Sequence, residues 1–196
     1  MHIRRLACCL LGVWFGVSFF MWFVATHNLA SVDSLLDKPA PTAQEQINKL
    51  GRDAARSFVR YHAAELNRFY FQSWERIQIG LGILLLLVLF FGTLGDRGVL
   101  LLCLLMIAAV LVERFVLTPE MTQLGRAIDF LGPDEPSAER TSFWMRHWAY
   151  SGVECVKLAL GAILTGKLLM RHRRHSSHAL QEVDMIDEAD NGHVDR

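Results

Sequence analysis

The chain has 196 residues, of which 52% are hydrophobic and 20% are charged. Lys and Arg together match Asp and Glu at 20 each, so the charge balance offers nothing to nucleic acid or to an acidic substrate. The apolar residues fall in long unbroken runs with the charges between them, a distribution that suits lipid and excludes an ordinary water-soluble domain.

A bilayer core of about 30 Å is crossed by roughly 20 apolar residues rising about 1.5 Å each. In chain order, such runs lie at about 6–26, 77–94, 99–117 and 148–170. The first follows His2, Arg4 and Arg5, as a signal peptide would. It is too long and too rich in bulky aromatics for a cleaved leader, so a retained span is expected. The second begins with Gln78 near its start, and the third is uncharged until Glu113 and Arg114. The fourth contains Glu154, Lys157 and Lys167. Each central charge costs about 2.5–3.5 kcal/mol of insertion free energy, against about 0.3–0.6 gained per large aliphatic side chain. This run needs neighbouring helices or pairing among its own charges.

Between the first two runs, Pro39 and Pro41 predict a loop over 31–41, after which Thr42 starts a helix. Ile47, Leu50, Ala54, Phe58 and Tyr61 recur at helical spacing, with Lys49, Arg52, Arg56 and Arg60 on a neighbouring strip. This outer connector over 42–76 either lies on anionic headgroups or packs against the other outer segment. Tyr70 and Trp74 suit the interface. Thr118-Pro119-Glu120 predicts a new helix with a capping hydroxyl, and Gly132 to Pro136 predicts a break. Ser137 is placed to cap the last helix. Residues 176–196, rich in Asp and Glu, are expected to be a disordered cytoplasmic tail.

The fold expected is therefore all-α: a four-span transmembrane bundle over 1–175, with outer amphipathic helices and an acidic tail. Basic residues flank both ends, with Arg4 and Arg5 before the first span and Lys167, Arg171, Arg173 and Arg174 closing the fourth. An even number of spans places both termini, and the turn Gly95-Asp96-Arg97-Gly98, on the cytoplasmic side. For packing, Gly152, Cys155, Ala159, Ala162 and Gly166 share one face of the fourth run, and Gly12 and Gly16 form a GxxxG pair in the first. Small residues let membrane helices approach, so both faces are expected against other spans of the bundle.

Ionisable residues inside a span are candidates for function. Glu154 and Lys157 lie three apart on one helix face, with Lys157 nearly opposite the small-residue stripe. Glu113 and Arg114 lie near the outer end of the third span, where Arg114 or Lys157 is positioned to pair with Glu113 or Glu154. The competing reading is a self-neutralising pair and side chains that reach the interface. His27, His62 and His147 fall near outer span ends, where histidines from several helices would ligate haem or metal. Their spacing follows no ligand motif, and no cofactor is assigned. Cys8, Cys9, Cys103 and Cys155 form no CxxC pair and are read as ordinary buried small residues.

The first span and its exit, Gly12-Val-Trp-Phe-Gly16 through Phe23-Val-Ala-Thr-His-Asn28, resemble the DUF4149 group of membrane proteins, related to the transmembrane protein 205-like domain. Leu117-Thr-Pro-Glu-Met121 is similar to that group's motif after the third span, and the resemblance covers roughly 5–170. It implies a multi-pass bundle in a bacterial inner membrane and no established activity. The reading reached is a non-enzymatic membrane scaffold or interaction component. Its partners are the bilayer, other membrane proteins or further copies of itself. The alternatives are a small transporter or permeation module using Glu154 and Lys157, and a haem or metal redox protein.

Overall fold

The computed structural model of the chain describes residues 2–92, 96–132 and 135–191, with side chains described from residue 3 to residue 170. Gly95 of the expected cytoplasmic turn, Pro133 and Asp134 of the expected break, and residues 192–196 of the tail lie outside the described residues. So do the side chains of Arg171, Arg173, Arg174 and the tail acids.

Among the described residues there are helices and no strand. The elements are α1 (His2–Asp37), α2 (Pro41–Leu50), α3 (Arg52–Gly92), α4 (Arg97–Val112), a π-helical turn (Glu113–Leu117), α5 (Thr118–Ile128) and α6 (Ala138–Asn191). Among the described residues, three continuous stretches are long and apolar enough to cross a membrane: Ile3–Asp37, Arg52–Gly92 and Arg97–Ile128. The run at 148–170 within α6 is not among these, since Glu154, Lys157 and Lys167 dilute it.

The outer surface is made of side chains that water would reject. Phe19, Phe20, Trp22, Phe23, Phe90, Phe91, Leu101, Leu104 and Ile163 are all exposed. A contiguous apolar surface on this scale marks contact with lipid rather than solvent. Inside, α1, α3, α4 and α6 meet along seams spaced alternately three and four residues apart. The seams are Ala7, Leu11 and Trp14; Leu85 and Leu89; Val99, Cys103, Met106 and Val110; and Leu164 and Leu168. This spacing is the signature of helices packed side by side in a bundle.

The tight approaches differ from those expected. Gly12, Gly16, Gly152 and Gly166 have no atom within 4 Å of where a Cβ would stand. Gly152, Cys155, Ala159 and Ala162 are exposed, so the α6 small-residue stripe faces outward rather than into its own bundle. The reason is Lys157: a helix cannot bury both opposite faces here, and the charged face is the one sheltered from lipid. The close contacts fall instead at Gly82, where a Cβ would stand 2.8 Å from Ile107, and at Gly161, where it would stand 3.0 Å from Phe15 and 3.3 Å from Met106. Gly161→Leu is expected to cost about 1–3 kcal/mol by overpacking, while Gly152→Leu costs little. Thermal unfolding in detergent compares them. Of the cysteines only Cys103 is fully buried; Cys9 and Cys155 are exposed on the apolar surface.

α1 and α3 run antiparallel well past the apolar belt. At about 1.5 Å per residue, the 41 residues of α3 span roughly twice the bilayer core. The expected loop over 31–41 is thus mostly helix, with α1 ending at Asp37 and only Lys38–Ala40 between it and α2. The helical continuation is explained by what it buries. Val32 and Leu36 of α1 pack with Ala55 and Ala63 of α3 to form a second core in this stalk. The apolar face expected on the connector is corrected accordingly. Small Ala55 and Ala63 face α1, while Phe58 and Tyr61 are exposed and meet Phe130, with ring centroids at 6.0 and 5.2 Å. Three residues of the basic strip pair with acids: Arg56 donates to Asp33 at 2.6 and 3.0 Å, Arg52 pairs with Asp37, and Lys49 pairs with Glu45. Gly51, at φ 87°, makes the left-handed turn between α2 and α3 that L residues disfavour.

Higher in the stalk, Glu65 accepts from Arg126 at 2.9 Å and from Arg68 at 2.8 Å. These hydrogen bonds, led by that from Arg126, hold its carboxyl below the ordinary value of 4.5 against partial desolvation. A depressed carboxyl stabilises the fold above its unfolded pKa, and the contribution disappears as pH falls through the folded value. Stalk stability is therefore expected to be flat near neutrality and to decline below about pH 4.5, with Arg126→Gln flattening the decline. Calorimetry of the two proteins across pH checks this.

Thr118 is not the helix cap expected. Its φ and ψ of −64° and −41° are helical, and its N–H reaches the Glu113 carbonyl through the π turn. Pro119 removes a donor and crowds the preceding turn, and a π turn accommodates both without ending the helix. Ser137 does cap α6, with its hydroxyl accepting from Arg140 N at 3.0 Å. α6 continues as helix to Asn191, within the segment 176–196 expected as a tail.

Candidate functional site

One end of the bundle gathers the start of α1, the end of α3 and the start of α4. Ile3 lies against Gly92, and Lys167 Nζ stands 3.0 Å from where a Gly98 Cβ would be. Moving away from that end, the seams stay apolar until one layer, where every helix turns polar. Glu113 sits sixteen residues beyond Arg97, about 24 Å along the axis and inside a bilayer core of about 30 Å.

In this layer Lys157 is fully buried. Its ammonium group donates to Gln78 Oε1 at 3.0 Å, to Glu154 Oε1 at 2.8 Å, and to Glu113 Oε2. All three ammonium donors are thereby used. Gln78 turns its amide nitrogen toward Ser18 Oγ at 3.5 Å, at the long limit of a hydrogen bond. Beside it, Glu75 Oε1 accepts from Thr118 Oγ1 and, at 3.4 Å, from the Tyr150 hydroxyl. Arg114 lies 3.9 Å from Glu75 Oε2. Glu75, Gln78, Glu113 and Lys157 have no exposed surface. Two buried carboxylate oxygens, Glu75 Oε2 and Glu113 Oε1, have no hydrogen-bond partner, and neither do the Trp14 and Trp74 ring nitrogens.

The local reasons for this layer are legible helix by helix. Glu75 lies seven residues before Gly82, and Gln78 seven before Leu85, on the inward seam of α3. Tyr150, Lys157, Gly161, Leu164 and Leu168 share the inward face of α6. The π turn adds a residue per turn and places Glu113, Leu117 and Thr118 all in buried positions. Such bulges re-aim side chains and recur at functional sites. A second polar rung sits above: Asn67 donates to the Ala25 carbonyl at 3.0 Å and accepts from Asn28 at 2.9 Å, tying α3 to α1.

Of the residues singled out from sequence, Glu154, Lys157 and Glu113 come together, while Arg114 turns to Glu75 instead. Sequence reading missed Glu75, Thr118 and Tyr150. The signal was present in Glu75, three residues before Gln78 on the same helix face. His27 stacks on Phe23 at 5.8 Å and His147 on Phe143 at 6.1 Å. His62 is exposed. Among the described residues, no three His, Cys, Asp or Glu side chains are grouped as a metal site requires.

The arrangement sets carboxylates against Lys157 and Arg114 and links α1, α3, the π turn, α5 and α6 at one level. Compared with protein-family models, with curated proteins and with solved structures, the chain finds no match.

Proposed function

We propose that this chain is a non-enzymatic component of a cell membrane, a four-span bundle with both termini cytoplasmic. In this reading it holds another membrane protein, lipid or a further copy of itself against its outward faces. α6 is the fourth span, carried across by the pairing of Lys157 with Glu113 and Glu154 and by packing on α4 and α1. The shared end of Arg4, Arg5, Arg97 and Lys167 supports the orientation. The resemblance to the DUF4149 group agrees with a multi-pass bundle in a bacterial inner membrane and assigns no residue a reaction.

The observation that carries the interaction role is the outward stripe of Gly152, Cys155, Ala159 and Ala162. Lys157 is paired inside, while the face suited to close helix approach is left for a neighbour. Energy transfer between labelled copies in liposomes tests self-association, which Ala159→Leu with Ala162→Leu should weaken. Wild type and double variant that behave alike at all protein-to-lipid ratios, with no lipid or protein retained by either, would sink this reading.

A permeation module is the second reading, favoured by Glu154, whose side chain keeps 20% of its surface and touches Lys157. Flux through proteoliposomes that falls in Glu154→Gln while folding is intact would support it. For the redox alternative, the visible absorbance spectrum of the purified protein decides whether haem is bound.

A further inference from the structure

The polar layer contains more negative than positive groups. Three carboxylates, Glu75, Glu113 and Glu154, face two cations, Lys157 and Arg114. α1 adds no charge between residues 6 and 26, where Ser18 is its polar contact. α3 adds uncharged Gln78, α5 adds Thr118, and α6 adds Tyr150. With all groups ionised, one negative charge is left over in a largely buried site. An uncompensated buried charge is costly enough that a proton is usually taken up instead.

The hydrogen bonds indicate where such a proton belongs. Glu154 is partly exposed and bonded to Lys157. Glu113 is buried and directly paired with the same ammonium group. Glu75 is fully buried and receives only two neutral hydroxyls; its nearest cation stands 3.9 Å away, without a hydrogen bond, and its Oε2 has no partner. We propose that Glu75 is an intramembrane proton-binding site, its carboxylate taking one proton from water on the outer side to give a neutral carboxylic acid. Lys157 and Arg114 stay ionised, balanced by Glu113 and Glu154. Arg114, whose side chain is 24% exposed, lies between this site and the surface. The site goes beyond the scaffold reading and does not depend on it.

The test uses the full chain in lipid nanodiscs at pH 7. The readout is the infrared carbonyl band of a protonated carboxyl, identified by its shift in D2O. Wild type is expected to show one such group from this layer, absent in Glu75→Gln. Charge balance makes a further demand: Glu113→Gln and Glu154→Gln should each also abolish the band, although Glu75 is intact, because the excess charge is gone. Arg114→Gln should keep it or add a second. A purely structural Glu75 would not respond to Glu154→Gln, the mildest variant because that side chain is partly exposed. Absence of the band in wild type overturns the proposal without any variant, as does its persistence in Glu75→Gln. Its persistence in Glu154→Gln overturns the charge-balance argument for the site.

Discussion

Lys157→Met is expected to lower the stability of the bundle by about 3–5 kcal/mol, the usual cost of breaking a buried ion pair from one side. The variant strands Glu113, fully buried, and removes the group to which Gln78 and Glu154 also bond. Proton uptake by Glu113 would bring the loss toward the lower figure. Adding Glu113→Leu should recover most of it, since a buried pair replaced by packed apolar groups is often neutral. Unfolding in mixed micelles, followed by circular dichroism, compares the three proteins. A single variant as stable as wild type would mean that the layer is peripheral to the fold.

Arg68→Met should cost about 3 kcal/mol, and its effect should be confined to the stalk. Arg68 bridges α3 to the end of α5: it donates to Asp129 at 2.6 and 2.9 Å and to Glu65 at 2.8 Å. The Asp129 side chain is only 7% exposed, so losing its partner leaves a largely buried carboxylate. Hydrogen exchange should rise over 118–131 while 99–110 stays protected. Arg56→Met is the control, because its pair with Asp33 is exposed and screened by water, so its loss should be barely measurable. Equal effects from both variants would contradict a buried role for Arg68.

Several features were visible in the linear sequence because they depend on neighbours along the chain. The apolar runs on α1, α3 and α4 are such features, as is the Ser137 cap. The i, i+3 pairing of Glu154 with Lys157 also needs one helix only, and it forms at 2.8 Å. The errors came where two helices had to be known at once. The five-residue small stripe on α6 suggests an inward face because small residues aid packing, whereas burial of Lys157 turns it to the outside. Phe58 and Tyr61 were given an apolar face that Ala55 and Ala63 in fact provide. Periodicity identifies a stripe but not its partner, and beside another helix small residues serve better than large ones. Thr118-Pro119 has the pattern of a helix start, yet the hydroxyl is used by Glu75 from another helix and a π turn carries the chain through.

Length, hydropathy and helical spacing determined by themselves that this is an all-helical protein whose apolar stretches belong in lipid, since a helix satisfies its own backbone and the bilayer fixes its length. Only the tertiary structure decided which face of each helix is inward. That choice depends on distant residues: Lys157 is buried because Gln78, 79 positions earlier in the chain, and Glu113, 44 positions earlier, meet it there. A charge in lipid is sheltered by whatever partners the other helices bring to its level, and no local pattern records them.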